Sequence, residues 1–532
     1  MSIHDALKAH AKLVAKDIKA GKATANSDRA RDFMGENPDA VLGVIDLIHR
    51  AANRKRPNQA LVQAYGYMFA SGLEAVRYQT ERGQAWAEDL LDAVRELLKL
   101  LADGGVIDPS LLMLLLNGFV EAKLEPGDDL TRLLGDIALE SAEGELAAGP
   151  PPDIGALFDD LVREAGGNEF EVYAGLAEIS QALPPEFRQV MLPQIATAEN
   201  PVLRDTATLY LLDPSSEVRR SFCQVMTENA SPDLISSAAL RRMIALRNWL
   251  PENERHLLDA AIKKARQKQV ECASWPTRQV LDILASNIDG AGAQSVFAVI
   301  KDGRKHIIAS LLVKQGVGIA DAWCVRDQSK ADVTGFLTQI YAQTESIRVD
   351  LDFLRLLITH HLAVGLAASK VPSSGLLDFV EAIGIETCHP SALAAGDIIT
   401  MMGKEIDPAQ LDPEAVDEAL QSSAGWLDQF DFMASWIEDD ALVEEVLAKN
   451  PRSRTPTKIK AIINSVLEPR RMKWAERFLW TALWLKQQQE NSPWPAFFII
   501  GRELHRDRPL AQIPTMQSVA EATVEDGANP WF

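Results

Sequence analysis

The chain has 532 residues, of which 47% are hydrophobic and 24% are charged, proportions typical of a folded protein with about two to four domains. The formal net charge of −21 disfavours binding to nucleic acid or to an anionic membrane, unless basic residues gather on one face. The N-terminal sequence lacks the apolar region of a secretory signal, and no apolar run is long enough to span a bilayer. We therefore expect a cytoplasmic protein that does not enter the membrane.

The N-terminal part of the sequence has a helical period. Apolar residues recur at helical spacing through residues 1–142 and predict an N-terminal helical domain. The strongest amphipathic pattern runs from Trp86 to Leu101 and stops at Asp103-Gly104-Gly105, a typical end for a helix. The segment 143–152, EGELAAGPPP, is predicted to be a linker, because three consecutive prolines cannot continue a helix.

Residues 153–290 are predicted to form pairs of short helices. In the clearest pair, residues 201–228, the turn Asp213-Pro214-Ser215-Ser216 separates two helices, and Val218-Arg219 opens the second. This segment resembles a HEAT repeat, in which an Asp-type turn precedes Val-Arg at the start of the inner helix. The resemblance implies an α-solenoid that serves as a scaffold or binding surface, with Val218 buried and Arg219 bracing the turn. A helix pair of this kind is stable only when it stacks on similar neighbours.

The period changes in residues 291–328, where short apolar segments alternate with turn residues and predict an inserted antiparallel β-meander. Asp302-Gly303 predicts a type I′ hairpin turn, because both residues tolerate a positive φ. Residues 329–507 return to a helical pattern, with a long apolar helix near the centre. The polar segment 508–532 is predicted to be a mobile tail. The expected fold is therefore mainly α, with HEAT-like helical repeats and a small β-meander.

Four residues are candidates for chemistry. His360 and His361 lie on the predicted central helix, and Cys388 stands beside His389. Adjacent histidines on a helix point about 100° apart, so core packing is the simpler interpretation, and an enzyme of unknown class with a site near them is the alternative. The sequence holds no phosphate-binding loop, nucleophile elbow or zinc spacing, so we predict no metal and no cofactor, and we assign no catalytic residue.

Two short segments are candidates for binding a protein partner. Arg304, Lys305 and His306 follow the hairpin turn, and loops on a rigid scaffold often carry function. The terminal Trp531 and Phe532 follow an acidic stretch. Exposed aromatic side chains on a tail are unfavourable, so we expect them to dock on the helical body or to be captured by a partner.

The stretch from Arg241 to Lys268 is the most basic one, with eight basic and three acidic residues. On the inner face of a solenoid its basic side chains would form a track for phosphates. The candidate contacts are Arg241, Arg242, Lys263, Lys264, Arg266 and Lys268. The alternative is a solvated helix face. The leading prediction is a non-enzymatic scaffold that binds another protein, and the alternatives are a nucleic-acid-associated protein and an enzyme near His360 and His361. The oligomeric state is left open.

Overall fold

The computed structural model of the protein describes residues 2–21, 24–137, 154–386, 388–449, 451–488 and 492–527. The structure is mostly helical, with 66% helix and one small antiparallel sheet, which confirms the mainly-α prediction with an inserted β-meander. The chain divides into two compact units, residues 1–194 and 195–532. The predicted linker and the terminal aromatic pair both lie entirely outside the described residues.

The unit 1–194 is built from amphipathic helices. Its helices are α1 (Ile3–Ala20), α2 (Ala25–Glu36), α3 (Ala40–Ala52), α4 (Gln59–Glu81), α5 (Ala85–Asp103), α6 (Pro109–Glu121), α7 (128–137), α8 (Ile154–Glu164), α9 (Glu169–Ser180) and α10 (Pro185–Ala196), which ends just inside the second unit. Side chains of Ser2 and Asp108 cap two of the helix N-termini. The apolar faces bury one continuous core that includes Phe69, Val94 and Phe119.

The second unit begins with two helix pairs. They comprise α11 (Pro201–Ala207) with the 3₁₀ turn Thr208–Leu212, α12 (Ser216–Glu228), α13 (Ser237–Leu246) with the 3₁₀ turn Arg247–Trp249, and α14 (Arg255–Gln267). As predicted, Val218 is fully buried, and Arg219 Nη1 donates to the carbonyls of Asp213 and Pro214 at 2.6 and 2.8 Å. The guanidinium also forms two hydrogen bonds to Glu254, between the helices of the second pair. The turn after α11 packs on α13, and α12 packs on α14.

Among the described residues, five strands form one antiparallel sheet in the order β4-β3-β2-β1-β5. The strands are β1 (Gln279–Ser286), β2 (Ala293–Asp302), β3 (Lys305–Lys314), β4 (Gly318–Gln328) and β5 (Ser346–Arg348). The predicted meander is β2-β3-β4, and two strands outside residues 291–328 extend the sheet. Asp302 pairs with Lys305, so Gly303 and Arg304 form the turn, and only Gly303 has a positive φ. The turn therefore fits type II′, and the type I′ prediction was wrong.

Helices cover the sheet and form the rest of the unit. They are α15 (Lys330–Gln343), α16 (Leu351–Ala367), α17 (Ser374–Ile383), α18 (Ala395–Met402), α19 (Pro413–Ser422), α20 (Trp426–Gln429), α21 (Ala441–Ala448), α22 (Thr455–Ile462), α23 (Arg471–Leu485), α24 (Trp494–His505) and α25 (Pro514–Asp526). Short helical turns occupy Pro408–Leu411, Ser423–Gly425, Asp431–Met433, Ile463–Leu467 and Leu510–Gln512. The indole of Trp484 donates to the carbonyl of Ala285, which joins α23 to β1. The helix α16 packs on β4.

The segment after Arg508, predicted to be part of a mobile tail, instead contains α25. Met516 and Val519 are fully buried, and Val524 is buried one turn further on. These apolar residues recur at helical spacing, so the helix has a face that packs on α22. The prediction weighed the polar residues of this segment and missed that apolar stripe. No helix in the described ranges is long and apolar enough to cross a membrane.

Candidate functional site

A cleft of about 420 Å³ lies beside the turn between β3 and β4. Its walls come from this turn, from α16, from the segment before α18 and from α23. The lining residues are Gln315, Gly316, His360, Ala392, Leu393, Ala394, Ala395, Met472, Lys473 and Glu476. The turn can approach α16 because Gly318 has no side chain, since a Cβ there would lie 2.6 Å from the carbonyl oxygen of His361. The cleft is lined by small residues of this turn and of the segment before α18, together with the polar side chains of His360, Gln315, Lys473 and Glu476.

His360 is held in one orientation at the cleft. The backbone N–H of Leu393 donates to His360 Nδ1 at 3.0 Å. Because Nδ1 accepts this bond, the proton of the neutral imidazole is on Nε2. That nitrogen lies 3.4 Å from Glu476 Oε1. The fold therefore selects the tautomer whose proton is on the nitrogen within ion-pair distance of Glu476.

Glu476 has a second polar neighbour. The amide Nε2 of Gln315 donates to Glu476 Oε2 at 3.2 Å and to the carbonyl oxygen of Lys473 at 2.7 Å. The ammonium of Lys473 lies 3.4 Å from Glu438 Oε2 and is itself partly exposed at the cleft. The cleft therefore combines three polar groups. The carboxylate of Glu476 and the ammonium of Lys473 lie one turn apart on α23, and the imidazole of His360 faces them from α16.

His361 points away from the cleft and is buried. Its ring lies 4.8 Å from the His360 ring and 6.0 Å from that of Trp480. Burial, and secondly the neighbouring imidazole of His360, lower the pKa of His361 to about 3. The side chain is therefore neutral at physiological pH, and it lines a second, smaller cavity beneath the cleft.

Cys388 and His389, the other candidates for chemistry, do not line this cleft. Cys388 is buried, and burial raises the pKa of its thiol to about 12. A thiol with such a pKa is not a nucleophilic thiolate at neutral pH. His389 is exposed, and its Nδ1 lies 2.8 Å from Asn248 Nδ2. The two side chains therefore lack the geometry and the charge of a catalytic pair.

The basic stretch from Arg241 to Lys268 contains both buried and exposed side chains. Arg241 and Arg242 both donate to Glu381 on α17, at 2.7 to 2.9 Å, and all three side chains are buried. Burial alone raises the pKa of Glu381, but the hydrogen bonds from Arg242 and Arg241 outweigh that effect and hold the pKa below its usual value. The two arginines anchor α13 to α17, so they are not available to a phosphate backbone. The exposed members of the predicted track lie on α14 and at the residue that follows it: Lys263, Lys264, Arg266 and Lys268.

The predicted hairpin site lies at the other end of β3 from the cleft. Arg304 and Lys305 are exposed, and the partly buried His306 has Nδ1 3.4 Å from the carbonyl oxygen of Gln328. Trp531 and Phe532 lie outside the described residues. Of all the predicted candidates, the structure places only His360 in the cleft. The described part of the chain contains no group of His, Cys, Asp and Glu residues that could hold a metal ion.

Comparisons with known proteins match two parts of the chain. Residues 184–269 match the Y4lR second domain, and residues 396–528 match the Y4lR C-terminal helical domain. The uncharacterized protein y4lR of Sinorhizobium fredii is 26% identical over 406 residues, which cover 74% of this chain and 77% of that protein. No solved structure matches the chain. The chain is thus similar to a bacterial protein, and α23, with Lys473 and Glu476, lies within the second matched region.

Sequence patterns did not reveal Gln315, Lys473 and Glu476 as site residues. Gln315 follows a strand, and the other two stand in a helix whose tryptophans dominate the pattern. A charged residue on an amphipathic helix ordinarily indicates a solvated face. Their relation to His360 arises only where β3, α16 and α23 meet.

Proposed function

We propose that this protein binds a small polar molecule in the cleft at His360 and Glu476. The observation that carries the proposal is the fixed tautomer of His360, in which a backbone bond to Nδ1 leaves the proton on Nε2, 3.4 Å from Glu476 Oε1. The volume of about 420 Å³ lies within the range usual for small-molecule sites, roughly 300–1,000 Å³. The donors and acceptors suit a ligand that carries both an anionic or carbonyl group and a hydrogen-bond donor.

The same pair of side chains supports the enzymatic alternative near His360. A histidine beside a carboxylate is a common arrangement for moving a proton to or from a bound molecule. In that case His360 would exchange the proton on Nε2, and Glu476 would stabilise the imidazolium that forms. Ligand binding is the part of the proposal that both alternatives share, so it is tested first.

The test is a binding screen against the full chain, with amino acids, amines, nucleosides and sugar phosphates as probes and thermal stability as the readout. For a compound that binds, we expect His360→Gln to weaken binding by about 10-fold or more. The substitution removes the hydrogen bond between the imidazole and a charged group of the ligand. His389→Gln is the matched control, because that side chain is exposed and lies outside the cleft. Met472→Trp should also block binding, because Met472 is 49% exposed at the rim of the cleft. Equal binding by wild type and both cleft variants would refute the proposal.

We also propose that the helix pairs 195–269 form a HEAT-like scaffold that binds a protein. Support comes from their order of packing, in which the first helices of successive pairs contact each other and so do the second helices. The contacts of Arg219 with its own turn and with Glu254 join the two pairs. The exposed basic residues of α14 favour an acidic protein surface as the partner. Burial of Arg241 and Arg242 removes part of the predicted phosphate track and disfavours nucleic acid.

Charge reversal distinguishes these partners. We expect the triple change Lys263→Glu, Lys264→Glu and Arg266→Glu to abolish binding of a cross-linked protein partner while the melting temperature is retained. The double change Arg304→Glu and Lys305→Glu reverses charge at the hairpin, and a loss of binding there would place recognition on the hairpin instead of α14. Duplex DNA binding that is steeply salt-dependent and lost in the triple variant would favour the nucleic-acid alternative. Unchanged partner binding in the triple variant would refute a scaffold role for α14.

A further inference from the structure

The side chain of Arg477, the residue after Glu476, is buried without a hydrogen-bond partner. It is 1% exposed, and its guanidinium lies 4.6 Å from the Trp474 ring and 5.7 Å from the Trp436 ring. None of its three nitrogen atoms forms a hydrogen bond within the described residues. Burial lowers the pKa of Arg477 to about 10, so the group remains charged at neutral pH. A buried cation with all its N–H donors unmet is costly, which indicates that an acceptor belongs beside it.

The nearest carboxylates do not serve as that acceptor. The charges of Glu438 and Asp289 favour the protonated form of Arg477, but neither accepts a hydrogen bond from it. Glu438 instead accepts from three other donors of the same region. Those donors are Arg470 at 2.6 Å, Lys473 at 3.4 Å and the Trp474 indole at 2.9 Å. The oxygens of Glu476 lie near His360 and Gln315.

A cavity of about 20 Å³ lies beside the guanidinium. It is lined by Ile288, Gly292, Gln294, Val313, Gln315, Leu357, His361, Glu476, Arg477 and Trp480. Three more buried polar atoms of these residues lack a partner in the described structure: Gln315 Oε1, His361 Nδ1 and Trp480 Nε1. Unmet polar atoms from three separate elements therefore collect around one small space.

Gly292 keeps part of this space open. A Cβ at that position would lie 3.2 Å from Gln315 Oε1 and 3.3 Å from Arg477 Nη2. The missing side chain thus leaves room between these two polar atoms. A water molecule needs roughly 10–15 Å³ of such a cavity, so this one accepts one or two small atoms and is too small for sulfate or phosphate.

We propose that this cavity is a binding site for a chloride-sized monoanion, held by the N–H groups of Arg477 and Trp480. Donors outnumber acceptors around the cavity, since Gln315 Oε1 is the one obligate acceptor among the unpartnered atoms named above. The neutral ring of His361 can add a third donor through Nδ1–H. Arg470 and Lys473 already pair with Glu438, so Arg477 is the cation that the monoanion would balance. The cavity shares Gln315 and Glu476 with the cleft, but Arg477 and Trp480 line the cavity and not the cleft.

The experiment follows chloride dependence in the full chain. The protein is dialysed into sodium gluconate, whose anion is too large for the cavity, and sodium chloride then replaces gluconate at constant sodium concentration. We expect the melting temperature to rise by a few degrees and saturate, as a ligand that binds only the folded state requires. The ³⁵Cl NMR line of the solution should broaden in parallel and narrow when the protein is unfolded.

Variants locate the effect. Arg477→Met should abolish the chloride-dependent rise whatever its own melting temperature is. Gly292→Ala should do the same by filling the space, and Gly303→Ala is its matched control, since φ is +78° and +59° at the two sites but only Gly292 has atoms nearby. Met472→Trp, which blocks the cleft, should leave the chloride effect intact. No rise in the wild type, a rise that survives Arg477→Met, or one lost in Met472→Trp would each overturn the proposal.

Discussion

The buried imidazole of His361 should make the unit 195–532 lose stability in mild acid. In the folded state burial and the neighbouring His360 lower the pKa of His361 from an ordinary 6.5 to about 3. In the unfolded chain the ring regains its ordinary pKa and takes up a proton below about pH 6.5. Between these two values the unfolded state binds more protons than the folded state, so the free energy of unfolding falls as the pH falls.

The size of the effect follows from the separation of the two pKa values. From pH 7 to pH 4.5 the unfolded ring becomes almost fully protonated, while the folded ring stays neutral. This difference in proton binding lowers the free energy of unfolding by roughly 2.5 kcal/mol, since each pH unit crossed between the two pKa values contributes about 1.4 kcal/mol. Such a loss is a large fraction of the stability of a typical domain, about 5–15 kcal/mol.

The assay is urea unfolding at pH 7 and pH 4.5, followed by tryptophan fluorescence. All the tryptophans except Trp86 lie in residues 195–532, so the signal reports mainly on this unit. The free energy of unfolding should fall less between pH 7 and pH 4.5 in His361→Leu than in wild type, by roughly 2.5 kcal/mol. His389→Gln, at an exposed imidazole, should decrease as the wild type does. An equal decrease in wild type and His361→Leu would refute the reasoning.

Three substitutions test the packing of the second unit by thermal or urea unfolding. Glu254→Gln should lower the free energy of unfolding by about 3 kcal/mol, because it leaves the buried charge of Arg219 without its carboxylate. Adding Arg219→Met should restore most of that free energy. A single variant as stable as wild type would contradict this. Val218→Asp should cost about 3 kcal/mol or more, and a melting temperature within a degree of wild type would disprove burial at this position. Gly375→Ala should lower the free energy of unfolding by about 3 kcal/mol, because its Cβ would lie 1.8 Å from a carbonyl oxygen of β4. Gly335→Ala on α15, with open space around it, should instead raise the free energy of unfolding by up to about 1 kcal/mol. Equal effects of the two substitutions would contradict the close approach at Gly375.

Local patterns in the sequence were sufficient to predict several elements. The turn at Asp213 and the three strands of the meander follow from short-range rules of capping and alternation, and the burial of Val218 was implied by the resemblance to a HEAT repeat. Each of these features depends on residues close together in the chain, so the sequence contains the information directly.

Other features were decided only by tertiary structure. Arg241 and Arg242 belong to a basic stretch, but they are buried because Glu381, about 140 residues later, reaches them from α17. The helix α25 is ordered because α22 covers its apolar stripe, which composition alone did not reveal.

The candidate site shows most clearly what the sequence alone could not predict. By itself the sequence determined that the protein is mainly helical, that a small antiparallel sheet interrupts the helices, and where a helix pair begins and ends. Only the tertiary structure brought His360 to Glu476, more than a hundred residues away, and placed an unpaired Arg477 beneath them. The physical reason is that periodicity reports which face of an element is apolar, whereas a site depends on which other element covers that face.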